Sequence, residues 1–169
     1  MDADQRRRAA PRREGPLGGQ RTTRSGERGG PRFVDGYLGY LLGQANHALY
    51  KGFDAQVRAA GLSSIEWRVL ATLNDGEPIT ISQLAHEILS KQPTVTKLVQ
   101  RMADQGWVNL QGDPDDLRRT LVTASHTGRR LVRPLIDKAR AHEASALLHL
   151  RASEQLLLKK LLAKLAGRK

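Results

Sequence analysis

The chain has 169 residues, a formal net charge of +11 and no cysteine. That length allows one domain with a real core, and the lack of thiols excludes disulfides, cysteine-ligated metal and sensing by thiol oxidation. A sequence pI near 10.7 points to a polyanionic partner, nucleic acid foremost; no apolar stretch approaches the ~20 residues of a membrane span, and no apolar signal core follows the basic start, so a cytoplasmic location is expected.

Residues 1–32 form a compositional block of their own. Nine arginines stand against Asp2, Asp4, Glu14 and Glu27, and glycine and proline fill much of the rest. Such a segment cannot offset its ordering entropy by burial, so a disordered tail is expected, which either adds non-specific DNA affinity or is inert. The body is expected to span 33–169. From Phe33 to Ala60 the apolar positions Val34, Tyr37, Leu38, Leu41, Leu42, Ala45, Leu49, Phe53 and Val57 predict one long amphipathic helix, closed by Gly61. Gly39, Gly43 and Gly52 weaken it locally, or allow another helix to come close. Its apolar stripe is broad for so small a body and hints at a partner chain.

Ser63-Ser64-Ile65-Glu66 is a capping box opening a helix to about Leu73, with Ile65, Val69, Leu70 and Leu73 turned inward. Asn74 to Pro78 breaks it, and Ile79-Thr80 is a candidate one-pair strand. Next come two sets of apolar residues at helical spacing: Ile81, Leu84, Ala85, Ile88, then Val95, Leu98, Val99, Met102. The connection Leu89 to Gln92 is short, and Pro93 suits the first turn of a new helix. Two short helices joined by a tight turn make a helix-turn-helix. On the second helix Thr94, Thr96, Lys97, Gln100 and Arg101 are left facing outward, all hydrogen-bonding or cationic, as an anionic groove requires.

Gly106 should end that helix. Trp107–Gln111 and Thr120–Thr123 predict two strands joined by a Gly-Asp-Pro turn with Arg118 and Arg119 at its far side. An arginine-tipped hairpin can reach into a DNA minor groove. Ser125 should cap a helix from about His126 to Leu150, kinked or broken by Pro134. Ser153 should cap the last helix, where Leu157, Leu158, Leu161, Leu162 and Leu165 would stay exposed in a monomer. The two chain ends therefore predict a dimerisation layer.

This order of elements resembles the MarR family of dimeric winged-helix transcriptional regulators over roughly residues 33–166. The resemblance is carried by Leu62-Ser63-Ser64-Ile65-Glu66-Trp67-Arg68-Val69-Leu70, by Gln92-Pro93-Thr94-Val95-Thr96-Lys97-Leu98-Val99, and by Asp113-Pro114-Asp115-Asp116-Leu117-Arg118. It implies a mainly α fold, with a winged helix-turn-helix at about 62–124 and dimerisation helices at about 33–60 and 126–166. The family wing usually reads Asp-x-Arg, matched by Asp116 and Arg118; Leu117 departs from the frequent Asp-Arg-Arg, and Arg119 can compensate. Gln92, Pro93, Thr94, Thr96, Lys97, Gln100 and Arg101 would then face the major groove, Arg118 would enter the minor groove with Asp116 orienting it, and a homodimer would read a pseudo-palindrome on double-stranded DNA with half-sites roughly 10 bp apart.

The resemblance further implies a small aromatic acid as effector, bound where the first, second and post-wing helices meet. Tyr40, His47, Trp67 and Arg68 would supply aromatic faces and a cation there. An enzyme is not expected. His47, His86, His126, His142 and His149 are scattered without paired-ligand spacing, and there is neither a phosphate loop nor a nucleophile setting, so no cofactor or metal is expected either. A repressor released by an aromatic acid is the expected function; an architectural protein that coats DNA with little sequence preference is the rival.

Overall fold

The computed structural model describes residues 30–168, so the expected disordered tail lies almost wholly outside the described residues. Eleven elements follow in order: α1 (Phe33–Gly36), α2 (Leu38–Tyr50), α3 (Phe53–Ala59), α4 (Ser64–Leu73), β1 (Ile79–Thr80), α5 (Ile81–Glu87), α6 (Gln92–Asp104), β2 (Val108–Gly112), β3 (Thr120–Ala124), α7 (His126–Ala146) and α8 (Ala152–Leu165). The class is mainly helical with a small antiparallel sheet, as the sequence predicts. No helix among the described residues is long and apolar enough to cross a membrane.

The predicted first helix is three pieces, not one. Tyr37 leaves helical geometry at φ −78°, ψ 115° and separates α1 from α2. A second interruption falls at Lys51-Gly52, where α7 packs against the chain. A Cβ on Gly52 would lie 3.0 Å from Cε1 of His142, so the imidazole from α7 packs closely on the backbone there. The same histidine caps the end of α2, its Nε2 donating to the Leu49 carbonyl at 2.7 Å and satisfying an acceptor that the interrupted ladder leaves free. Of the apolar positions on this stretch only Phe53 and Val57 are buried.

From α3 to α7 the periodicity and the core agree. Val57, Leu70, Leu84, Val95, Val99, Met102, Val122 and Val132 are fully buried in one cluster. α4 opens with the expected box, Ser63 Oγ receiving the Glu66 amide and the Glu66 carboxylate receiving the Ser63 amide at 2.8 Å. α3 and α6 both end in a Schellman motif, with Gly61 and Gly106 in the left-handed region. The closing bonds run from Leu62 to the Val57 carbonyl and from Trp107 to the Met102 carbonyl.

The sheet order is β1-β3-β2. Leu110 faces Val122 within the wing, and Ile79 faces Val122 from the other side, so the short β1 anchors the hairpin to the helix-turn-helix. α7 runs through Pro134 without a break and ends at Ala146, four residues earlier than expected. Pro134 and Arg130 are both exposed, so the carbonyl freed by the missing N–H faces water. The last helix is capped at Arg151, not Ser153, because the Glu154 carboxylate accepts the Arg151 amide at 2.7 Å. α8 buries no residue, and Tyr37, Leu38, Tyr40 and Leu41 around α2 are exposed as well.

Candidate nucleic-acid interface and adjoining cavities

α6 buries Val95, Leu98, Val99 and Met102, which turns Pro93, Lys97 and Gln100 outward at one-turn intervals. Gln92 and Thr96 flank this row on one side, Thr94 and Arg101 on the other. Asp104, the last residue of the helix, falls on the same outer row. The outer face is therefore not free of acid, as the sequence reading had it. A carboxylate at that end repels phosphate and leaves the first three turns as the part suited to an anionic groove.

The amide of Gln92 is fixed. Ser82 Oγ donates to its Oε1 at 2.8 Å, so the Nε2 donors are the atoms left to a ligand. Thr96 donates its hydroxyl to the Gln92 carbonyl at 3.0 Å, which leaves that side chain as an acceptor with a methyl group beside it. Arg101 is engaged elsewhere. Its guanidinium holds the buried Glu66 carboxylate at 2.9 Å and ties α6 to α4. Burial pushes the Glu66 carboxyl up, but the Ser63 hydroxyl and amide and Arg101 outweigh it and hold the group below the usual carboxylate range.

The wing loop folds around two aspartates. Asp113 is buried and accepts the Asp115 amide at 3.0 Å. Asp116 accepts the Arg118 backbone amide at 3.0 Å, while its carboxylate pairs with the Arg119 guanidinium at 3.1 Å. The expected orienting contact from Asp116 to the Arg118 guanidinium is thus replaced: spacing of three across the turn brings Arg119 to it. No carboxylate among the described residues pairs with Arg118. A groove of about 530 Å³ joins the wing to the helix-turn-helix, lined by Thr80, Ser82, Gln83, Gln92, Thr96, Arg118 and Arg119. Four sequence-predicted residues, Gln92, Thr96, Arg118 and Arg119, meet there. Thr94, Lys97 and Gln100 lie outside it on the exposed face of α6. The contribution of Thr80, Ser82 and Gln83 was missed; the signal was a run of hydroxyl and amide side chains at the start of the first of the two helices.

The expected effector residues do not share one cavity. Trp67 is buried, meeting Phe53 edge-on at 5.1 Å between ring centres. It walls a slot of about 200 Å³ with Tyr50, Phe53, His142 and Glu143. Arg68, its neighbour on α4, points instead into a recess of about 620 Å³ lined by Asn46, Tyr50, Ser64, Ile88 and Leu89. Its Nη1 donates to the Ile88 carbonyl at 2.9 Å, and its Nε is buried without a partner. Tyr50 borders both spaces; Tyr40 and His47 border neither. Tyr50, Phe53 and His142 were not singled out as site residues, although each carries an aromatic or hydrogen-bonding ring within reach of the same junction. No group of three or more metal-ligating side chains is placed to hold an ion among the described residues.

A model of the MarR family matches residues 60–119. Among curated relatives, the HTH-type transcriptional repressor NicR of Pseudomonas putida is 28% identical over 135 residues, 80% of this chain and 85% of that one. The HTH-type transcriptional repressor IacR of Pseudomonas putida is 29% identical over 89 residues, about half of each chain at 53%. Among solved structures, the MarR family transcriptional regulator SPO1453 of Silicibacter pomeroyi has a TM-score of 0.69 and 35% identity, covering 80% of this chain and 99% of that one. BpsR of Bordetella bronchiseptica, whose DNA binding is regulated by 6-hydroxynicotinic acid, has a TM-score of 0.70 and 24% identity, covering 83% and 100%. At that identity the likeness to BpsR concerns the fold alone.

Proposed function

We propose that this chain, which belongs to the MarR family of transcriptional regulators, acts as a homodimeric repressor that reads a pseudo-palindromic operator and releases it when a small aromatic acid binds. The observation that carries the DNA half of this reading is the groove between α5, α6 and the wing. It collects Gln92, Thr96, Arg118 and Arg119 on one concave surface. Gln92 has donors to spare, and the Arg118 guanidinium has no carboxylate partner among the described residues. In this reading Pro93, Thr94, Lys97 and Gln100 enter the major groove with them. Arg101 and Asp116 act at one remove, holding α6 on α4 and Arg119 on the wing. Repression is supported by the names that NicR and IacR carry.

The effector half rests on the aromatic slot. Its volume of about 200 Å³ compares with the ~150 Å³ of an apolar cavity that accepts benzene, so it suits a single six-membered ring. Tyr50, Phe53, Trp67 and His142 supply the walls, and the relation of BpsR to 6-hydroxynicotinic acid supports the ligand class. The slot lies where α2, α3, α4 and α7 meet. An occupant there can bias the angle between the helix-turn-helix and the flanking helices, provided that it binds one arrangement better. The test is to titrate benzoates, hydroxycinnamates and hydroxynicotinates against the complex with the protein's own upstream promoter, using random DNA at the same salt as reference. Preference for the promoter and release by one aromatic acid are expected. Equal affinity for random DNA would favour an architectural protein, and indifference to every acid would remove the sensor.

A further inference from the structure

Most arginines among the described residues are held by a carboxylate, and Arg68 is held by a backbone carbonyl. Apart from Arg118 at the wing, the exceptions are Arg129, Arg130 and Arg133, and these three lie together on α7. They line a cleft of about 490 Å³ between the first half of α7 and the end of α4, where Asn74 and Asp75 form the facing side. Their placement is locally unfavourable. Arg129 and Arg133 are like charges one turn apart, which destabilises a helix. Neither helix geometry nor the core asks for them, since all three are exposed. Costs that the fold itself does not require concentrate at functional positions.

We propose that this cleft binds a phosphorylated small molecule with hydroxyl or amino groups at the end away from its phosphate. Arginine recognises phosphate through paired N–H donors, and Arg129, Arg130 and Arg133 provide several such forks on one wall. Arg140 and Asp137, both in the lining, form a largely exposed pair at 3.4 Å, which leaves Arg129, Arg130 and Arg133 as the cations of the cleft without a carboxylate partner among the described residues. Asp75 makes the facing side acidic, which disfavours a continuous polyanion lying across the cleft and favours a ligand with a donor group there. The volume falls within the ~300–1,000 Å³ of small-molecule sites. The cleft is also separate from the DNA-facing groove: the two share no lining residue.

The experiment is calorimetric titration of the full chain at physiological salt with inorganic pyrophosphate, a hexose phosphate and a nucleoside triphosphate, each beside its unphosphorylated or sulfate counterpart. Saturable binding of one phosphorylated probe per chain is expected. The R129Q/R133Q double variant should weaken it roughly tenfold or more, with thermal stability and promoter affinity unchanged, and R118Q should leave it unaltered. The proposal is overturned if no probe binds, or if sulfate competes equally. It is overturned too if R118Q abolishes binding, which would put the phosphate in the DNA groove, or if the double variant loses promoter affinity, which would make the cleft part of the DNA surface.

Discussion

At the scale of single residues, two positions show how local chemistry and tertiary demand can disagree. Leu89 sits just past the end of α5 with φ +53°, where glycine is the usual residue, and its side chain is 87% exposed. The geometry is imposed by the tight turn: the Leu89 amide bonds to the His86 carbonyl and the Ser90 amide to the Ala85 carbonyl. A side chain in this region costs about 1 kcal/mol or more, and Leu89 recovers little by burial. Leu89→Gly should raise stability by about 1 kcal/mol in urea unfolding; an unchanged or lower midpoint at constant slope would show that Leu89 packs on something in solution. Glu66 presents the opposite case, a buried carboxylate held by Ser63 and Arg101. Because its folded value is depressed, its contribution to stability is complete above the ordinary glutamate range and is lost as pH falls through the depressed value. Glu66→Gln should therefore cost about 1–3 kcal/mol near neutral pH, and the gap from the parent should narrow as the pH is lowered below about 4. A gap that stays constant down to acid unfolding would remove the carboxylate from the account. Arg101, being largely exposed, adds less than the Ser63 contacts.

At the scale of elements, the junction of the wing and α7 holds the base of the hairpin on the helical body. Ser125 caps α7 while donating its hydroxyl to the Gly106 carbonyl at 2.6 Å, and its amide reaches the Trp107 carbonyl. Gly128 completes the junction: a Cβ there would collide with that same Trp107 oxygen, a backbone atom that cannot swing aside. Gly128→Ala should destabilise the fold by about 1–3 kcal/mol or more through overpacking, and weaken promoter binding in whatever stays folded. Normal stability would mean that α7 can shift without cost. Arg118→Ala, by contrast, should leave stability intact and weaken promoter binding by about 1–3 kcal/mol, read by titration at one fixed salt. The helix-turn-helix and the wing were legible in the sequence because Val95, Val99, Met102 and Val122 bury against residues of the same chain, so periodicity and burial coincide. The breaks in the first helix were not. Its apolar spacing runs on through Gly52, and at that break the chain meets His142, which bonds to a carbonyl 93 residues away in sequence. The same distance hid His142 from the effector set, whereas Tyr40 and His47, on the same helix as Tyr50, border neither cavity. In the wing, spacing named Asp116 and both arginines, but only the turn geometry decides that Arg119 takes the carboxylate.

At the scale of the molecule, the chain divides into a core that is complete and helices that are not. α3 to α7 and the sheet enclose their apolar residues, while Leu157, Leu161 and Leu165 on α8 and Leu38, Tyr40 and Leu41 on α2 remain exposed. Apolar area spread over the two chain ends on this scale marks an interface, and a twofold partner would cover both at once. The division yields a prediction about truncation. Because α8 contributes nothing buried to the core, a chain ending after Leu150 should keep its helical spectrum and a cooperative unfolding transition. It should lose self-association, seen as sedimentation of a monomer where the full chain runs as a dimer. Each recognition helix would then engage its half-site alone, and losing the second, intramolecular contact should weaken binding to a full operator by about 10²–10⁴-fold, with half-site binding little changed. A truncated chain that stays dimeric would move the interface to α2 and α7. One that is monomeric yet holds the full operator as tightly as the parent would mean that a single helix-turn-helix and wing account for the whole affinity, and the twofold reading of the operator would fall with it.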